Sequence, residues 1–224
     1  MNYPQYAELE KLICEYDEDS KTFQIQKLIM KNYPKVFIMS SASLFETQIK
    51  RHCQDFLDHP LSPLSNYPQI VACMNSSKPT VDKMYAKFET FDRGTGIERF
   101  DASKFYGLFG GQVFKSSVES FFTTEMTSQL QFVSDQISAL LPLCGQERYD
   151  FDYAKYCDLK DELSQCTFNS AEYSFLSLKR KRNQVAHNYI NALTDTFDDL
   201  RRFYIKAVVY VVSLEKAIIC LTTT

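Results

Sequence analysis

The 224-residue chain has no tryptophan, only six glycines and seven prolines, and no excess of basic charge. Scarce glycine and proline argue against a turn-rich all-β fold and against a disordered chain. The net charge of −3 excludes a globally basic nucleic-acid coat, so any contact with nucleic acid must come from a local patch. The seven cysteines, at 14, 53, 73, 144, 157, 166 and 220, include no C-x-x-C pair. An odd, scattered set reads as reduced thiols of an intracellular protein, not as a zinc or disulfide framework. No basic stretch followed by an apolar one opens the chain, so no secretory signal is expected. The most apolar segment, 207–221, is interrupted by Glu215 and Lys216 and is too short to span a bilayer. A soluble, cytoplasmic protein with no membrane contact is the expectation. Gly94 and Gly96 lack the third glycine, the preceding strand and the lysine of a phosphate loop, so 92–96 reads as a turn.

What is present is a hydrophobic content of 45% and an aromatic content of 14%, carried by 18 Phe and 14 Tyr. That suffices for one sizeable core. The spacing is helical almost throughout. A first helix is expected over about 6–16. A long one starts near Pro34 and ends before Pro60, with Val36, Phe37, Ser40, Leu44, Ile49 and Phe56 on its apolar side. The small run 40–43 would let another helix approach closely. Prolines at 60, 63, 68 and 79 make 60–80 a loop or broken insertion. A short helix is expected at 81–91 and a short apolar piece at 105–109, with Gly110 and Gly111 breaking the chain. A long helix follows over 113–141, stopped by Pro142.

In the last third, 153–163 reads as helical. Asn169 or Ser170 is a plausible cap for the next helix. Thr196, with Asp199 three residues on, caps the last one. Its Leu200, Phe203, Tyr204, Ala207, Val208, Val211, Leu214 and Ile218 form one broad stripe. The expected fold class is all-α: one helical domain over 1–224, with 60–110 as a loop-rich, partly helical insertion.

The chemistry concentrates in the run Lys179-Arg180-Lys181-Arg182-Asn183-Gln184-Val185-Ala186-His187-Asn188-Tyr189. On a helix, Arg182, Ala186, Ile190, Asn183 and His187 fan across one side, with the small Ala186 leaving room for a second surface or a substrate. These residue types suit RNA cleavage by internal transesterification. A histidine can take the ribose 2′-proton or protonate the leaving 5′-oxygen. Arginine offers phosphate a fixed fork of donors and stays charged. Asparagine can orient the ring or the substrate. One chain supplies one such histidine, so two proton-transfer groups require two copies around a two-fold axis. No metal or other cofactor is called for. Lys179, Arg180 and Lys181 read either as a solvated helix face or as a phosphate-steering patch.

Arg182-Asn183, followed by His187, resembles the signature of the HEPN superfamily: arginine, four to six residues, then histidine, with a polar residue favoured after the arginine. His187-Asn188-Tyr189 is similar to the version found in HEPN toxins paired with nucleotidyltransferase antitoxins, where the tyrosine is the modified residue. Tyr189 is then a modification position or a packing residue. The resemblance implies a helical bundle, a homodimer with the motif at its interface, and metal-independent endoribonuclease activity. It implies Arg182 and His187 as catalytic residues, with Asn183 joining them to orient substrate or ring; Lys179 and Arg180 are assigned to substrate binding from the basic run itself. Glu46, in Ser43-Leu44-Phe45-Glu46, resembles an acidic residue that some members carry on an early helix, and is assigned to the substrate site. Members act as toxins, in phage defence or in RNA processing, so a cognate antitoxin or defence partner is implied. The length fits the longer, defence-associated branches better than the small toxins.

Other readings are weaker. The rival class is a non-catalytic dimerisation or RNA/nucleotide-binding module. His52 and His59 flank Cys53 without a further ligand at motif spacing. A nucleophilic cysteine at 157 or 166 has no local support. The phenylalanines at 100, 105, 109, 114, 121 and 122 read as core, with base stacking as the alternative.

Overall fold

The computed structural model describes residues 23–58, 105–107, 109, 111–187 and 195–223. The described residues hold five α-helices and one 3-10 turn, and no strand. They are α1 (Phe23–Asp58), α2 (Gln112–Leu140), the 3-10 turn Leu141–Leu143, α3 (Glu147–Ser164), α4 (Phe168–His187) and α5 (Phe197–Thr223). The all-α expectation holds. The helices expected at 6–16 and 81–91, the turn at 92–96 and most of the 60–110 insertion lie outside the described residues.

The architecture is organised around α5, which packs against α1, α2 and α4 and more lightly against α3. Its sequence pattern shows one broad stripe, but from Tyr204 to Ile218 nearly every side chain is buried, including Ile205, Val209, Val212 and Ala217. Neighbours on three sides leave no solvent face for most of its length. Polar residues on this helix must therefore find partners. Ser213 returns its hydroxyl to the Val209 carbonyl at 2.6 Å. Tyr210 donates to Glu172 at 3.2 Å and lies 2.7 Å from the Tyr106 hydroxyl, which itself donates to Glu172 at 2.7 Å. This triad ties the 105–107 segment to α4 and α5. Burial pushes both tyrosine hydroxyls well above their ordinary range.

Aromatic rings fill the space between α1, α4 and α5. Tyr204 stacks on Phe45 with ring centres 5.8 Å apart and meets the edge of Phe37 at 5.1 Å. Phe175 lies edge-on to Phe45 and tilts against Tyr210. Phe105, Phe109 and Phe114 form a second ring cluster that reaches Phe56. The phenylalanines at 105, 109, 114 and 122 are core, Phe121 is half-buried, and Phe100 lies outside the described residues.

Several boundaries depart from the sequence reading. Helix α1 begins at Phe23, eleven residues before the expected start at Pro34, and carries that proline inside it. Proline removes one backbone donor and crowds the preceding turn, which normally ends a helix. Here Pro34 is buried, and its neighbour Tyr33 packs toward Phe197 of α5 with ring centres 6.5 Å apart, so tertiary contact overrides the local break. The buried face of α1 is Phe37, Ile38, Ser41, Ala42, Phe45, Ile49, Cys53 and Phe56. Val36 and Ser40, expected inside, are exposed, and the close approach uses Ser41 and Ala42.

Gly111, with φ 61°, turns the chain into α2, a conformation that disfavours other residues. Pro142 occupies the first turn of the 3-10 element, where its missing donor costs nothing. Helix α3 starts at Glu147, six residues before the expected 153. Glu147 and Asp150 in its first turn favour a helix N-terminus, and Asp150 accepts from the Gly145 amide at 2.7 Å. The α4 cap is Thr167, not Asn169 or Ser170. Thr167 and Ser170 exchange backbone-to-hydroxyl bonds of 2.9 and 3.2 Å. At α5 the expected capping box forms, Thr196 receiving the Asp199 amide at 3.2 Å and returning its own amide at 3.0 Å.

No helix among the described residues is long and apolar enough to cross a membrane. No described group of three or more His, Cys, Asp or Glu residues is placed to hold a metal ion. His52 instead faces Glu215 of α5 at 3.9 Å, while His59 lies outside the described residues. Cys53 and Cys166 have thiols pushed up by burial, which opposes a nucleophilic role for Cys166.

Glu215 is buried in the α1–α5 seam, its Oε1 without a partner, and burial pushes its carboxyl up to about 7. Burial also lowers His52, so the two do not form a strong ion pair near neutrality. A raised carboxyl gives stability that is intact below about pH 4.5 and is lost as pH rises through about 7. Glu215→Gln is therefore expected to stabilise the fold by about 1–3 kcal/mol at pH 8 and to be near neutral at pH 4.5. Urea unfolding at the two pH values checks this; equal effects at both would show that ionisation of Glu215 is not the cause.

Candidate functional site

Helix α4 buries Ala171, Ser174, Phe175, Leu178 and Val185 along one stripe. Arg182 falls on that same stripe, one turn beyond Leu178 and just before Val185. A guanidinium at the border of a core needs an anion or another strong acceptor. Glu46 supplies it. The carboxylate follows the buried Phe45 on α1 and accepts from Arg182 Nη2 at 2.7 Å through Oε1. Lys179, one turn earlier on α4, reaches the same oxygen at 3.1 Å. All three side chains are largely shielded, at 24% exposure for Arg182, 15% for Glu46 and 11% for Lys179. The Glu46 carboxylate is thus shared by two cations. Arg182 Nε is buried without a hydrogen-bond partner.

The other motif residues lie on more open ground. Asn183 is half-buried, and Gln184, Ala186 and His187 are exposed. His187, the last described residue of α4, is exposed. Asn188, Tyr189 and Ile190 lie outside the described residues. The small Ala186 sits on the exposed side between Arg182 and His187.

The basic run does not present four equivalent charges. Lys179 is turned onto Glu46. Lys181 binds both oxygens of Asp195 at 2.6 Å each and lies 5.5 Å from the Phe203 ring centre. Arg180 faces solvent. Glu46, read from sequence as a substrate residue, sits in the structure as the anchor of Arg182 and Lys179. Asp195 was missed by sequence reasoning, and Phe203 was read only as part of the apolar stripe of α5. The signal available was the Asp195-Thr196 step, where an acid immediately precedes a capping residue.

The chain matches the family model described as RiboL-PSP-HEPN over residues 5–219. It belongs to this HEPN family. Neither the curated proteins nor the solved structures contain a match. The match spans nearly the whole chain, so the extra length relative to small HEPN toxins belongs to the family. HEPN membership ties the chain to a nuclease or other RNA-related function.

The shielding of Glu46 predicts its energetic weight. Glu46→Gln in this HEPN protein is expected to destabilise the fold by about 1–3 kcal/mol, since two partly buried cations lose a shared carboxylate. Arg180→Ala is expected to change stability by less than about 0.5 kcal/mol. Chemical denaturation of the two variants tests the contrast, and equal effects would show that the carboxylate does not anchor the cations.

Proposed function

We propose that this HEPN protein is a metal-independent endoribonuclease that cleaves RNA by 2′-hydroxyl transesterification at a composite site formed by two copies of the chain. The observation that carries the reading is the pairing of a shielded, carboxylate-anchored Arg182 with an exposed His187 on one helix. Arg182 would meet the phosphate and stabilise the charge that builds on its oxygens. A neutral His187 imidazole takes the 2′-proton as the new 2′-oxygen–phosphorus bond forms. The phosphorus–5′-oxygen bond breaks, and the leaving oxygen takes a proton from the protonated imidazole of a second copy. The products are a 2′,3′-cyclic phosphate and a 5′-hydroxyl. Asn183 orients substrate or ring, and Lys179 and Arg180 add positive charge along the approach. A prokaryotic toxin or antiviral effector, held in check by an antitoxin or defence partner acting at or near Tyr189, is the biological role we propose.

A second reading is supported by the same anchor. Because Glu46 already occupies Arg182, a bound phosphate must share or displace that carboxylate, which suits a non-catalytic RNA or nucleotide-binding dimer.

The two readings separate on one preparation. Purified protein is expected to cut RNA in EDTA and leave cyclic phosphate ends. His187→Ala should lower the rate by about a hundredfold or more while light scattering still reports a dimer. Expression of the wild type should arrest growth, and Arg182→Ala should relieve the arrest. Equal residual cleavage by wild type and His187→Ala, with RNA binding retained, would favour the binding module.

A further inference from the structure

We propose that Lys181 and Asp195 form a positioning pair that sets the end of α4 against the start of α5 and thereby aims His187. The pair is better built than a surface ion pair. Lys181 Nζ donates to both carboxylate oxygens at 2.6 Å, and the two side chains are only 19% and 18% exposed. The ammonium also lies 5.5 Å from the Phe203 ring centre on α5. A lysine on a helix surface ordinarily keeps its ammonium in water and gains little from one exposed partner. Here it is drawn between a carboxylate and an aromatic ring of the neighbouring helix.

The place of the pair gives it leverage. Asp195 immediately precedes Thr196, and the Thr196–Asp199 box fixes the first turn of α5. Lys181 immediately precedes Arg182. The two tied positions are 14 residues apart, and Arg182, Asn183 and His187 all lie between them. Val185 is the last buried residue of α4, and Ala186 and His187 beyond it are exposed. Arg182 has its own tether in Glu46. No described residue holds the His187 ring. Its position is inherited from the last described turn of α4, and the tie limits how that turn can lie against α5. Small displacements of a proton-transfer group are expensive in rate. The ammonium is thus employed in holding the scaffold and does not contact RNA.

The catalytic arm of the test rests on the ribonuclease reading, and the exchange arm does not. In Asp195→Asn and Lys181→Met, kcat for RNA cleavage is expected to fall about tenfold, with KM within twofold of the wild type. Amide hydrogen exchange over residues 182–187 should quicken, with the buried stretch of α5 unchanged. The swapped double variant Lys181→Asp/Asp195→Lys should recover at least a third of the lost rate and slow exchange again. A phosphate-contacting Lys181 would instead be freed by Asp195→Asn, lowering KM with kcat kept; that result overturns the proposal. So does unchanged exchange at 182–187 in both single variants. A wild type that cuts no RNA defeats the ribonuclease reading alone, and the exchange data still decide whether the pair positions the turn.

Discussion

Helix α5 is enclosed by α1, α2 and α4, and that enclosure constrains every other element. A helix surrounded on three sides can carry polar groups only where neighbours satisfy them. Tyr210 is satisfied by Glu172 and Tyr106, and Ser213 by its own helix. Lys216, at the helix edge, binds the buried Glu125 of α2 at 2.6 Å, and Gln129 bonds the other carboxylate oxygen at 2.9 Å. These bonds fix the rotation of α2 and α4 about the central helix. Glu215 is a buried carboxyl whose pairing is incomplete, and its raised affinity for a proton is the physical consequence.

That rotation is what makes the site. With Phe175, Leu178 and Val185 turned inward, Arg182 is forced to the core boundary, and α1 lies close enough to meet it with Glu46. The same rotation sends Arg180, Ala186 and His187 to the outside. A single helix therefore presents one restrained cation and one exposed imidazole. The division suits a reaction in which the phosphate must be held still while protons move. The carboxylate partners of Lys179 and Lys181 also limit the diffuse positive charge of the surface. Under the proposed function, RNA binding depends on the local cluster, in keeping with a chain whose net charge is negative.

Away from this site the bundle thins. Helices α2 and α3 run out as a hairpin in which no side chain between Val133 and Leu163 is fully buried. Ion pairs between Glu162 of α3 and Arg202 and Lys206 of α5, at 3.2 and 2.8 Å, hold the base of the hairpin against the central helix. Helix propensity and local bonds such as Gln131 to Asp135 sustain the outer turns. The hairpin thus contributes shape more than core, whereas the α1–α4–α5 face contributes both core and chemistry.

The local signals in the sequence were sufficient for some features and not for others. Fold class, the break before α2, the Pro142 stop and the Thr196–Asp199 cap were legible, because each depends on spacing or on backbone chemistry within a few residues. The Arg182-to-His187 motif was legible for the same reason. Its neighbours α1 and α5 were only partly legible. Nothing near Pro34 announces that a helix will run through it, since the compensating burial comes from distant chain. The stripe on α5 shows one apolar face but not the second and third, which exist only because three helices converge there. The pairing of Glu46 with Arg182 spans 136 residues, and that of Lys181 with Asp195 joins two helices. Sequence alone determined that an arginine, an amide and an imidazole share one helix; tertiary packing decided which were restrained and which were left open, because burial and charge pairing depend on what lies opposite in space.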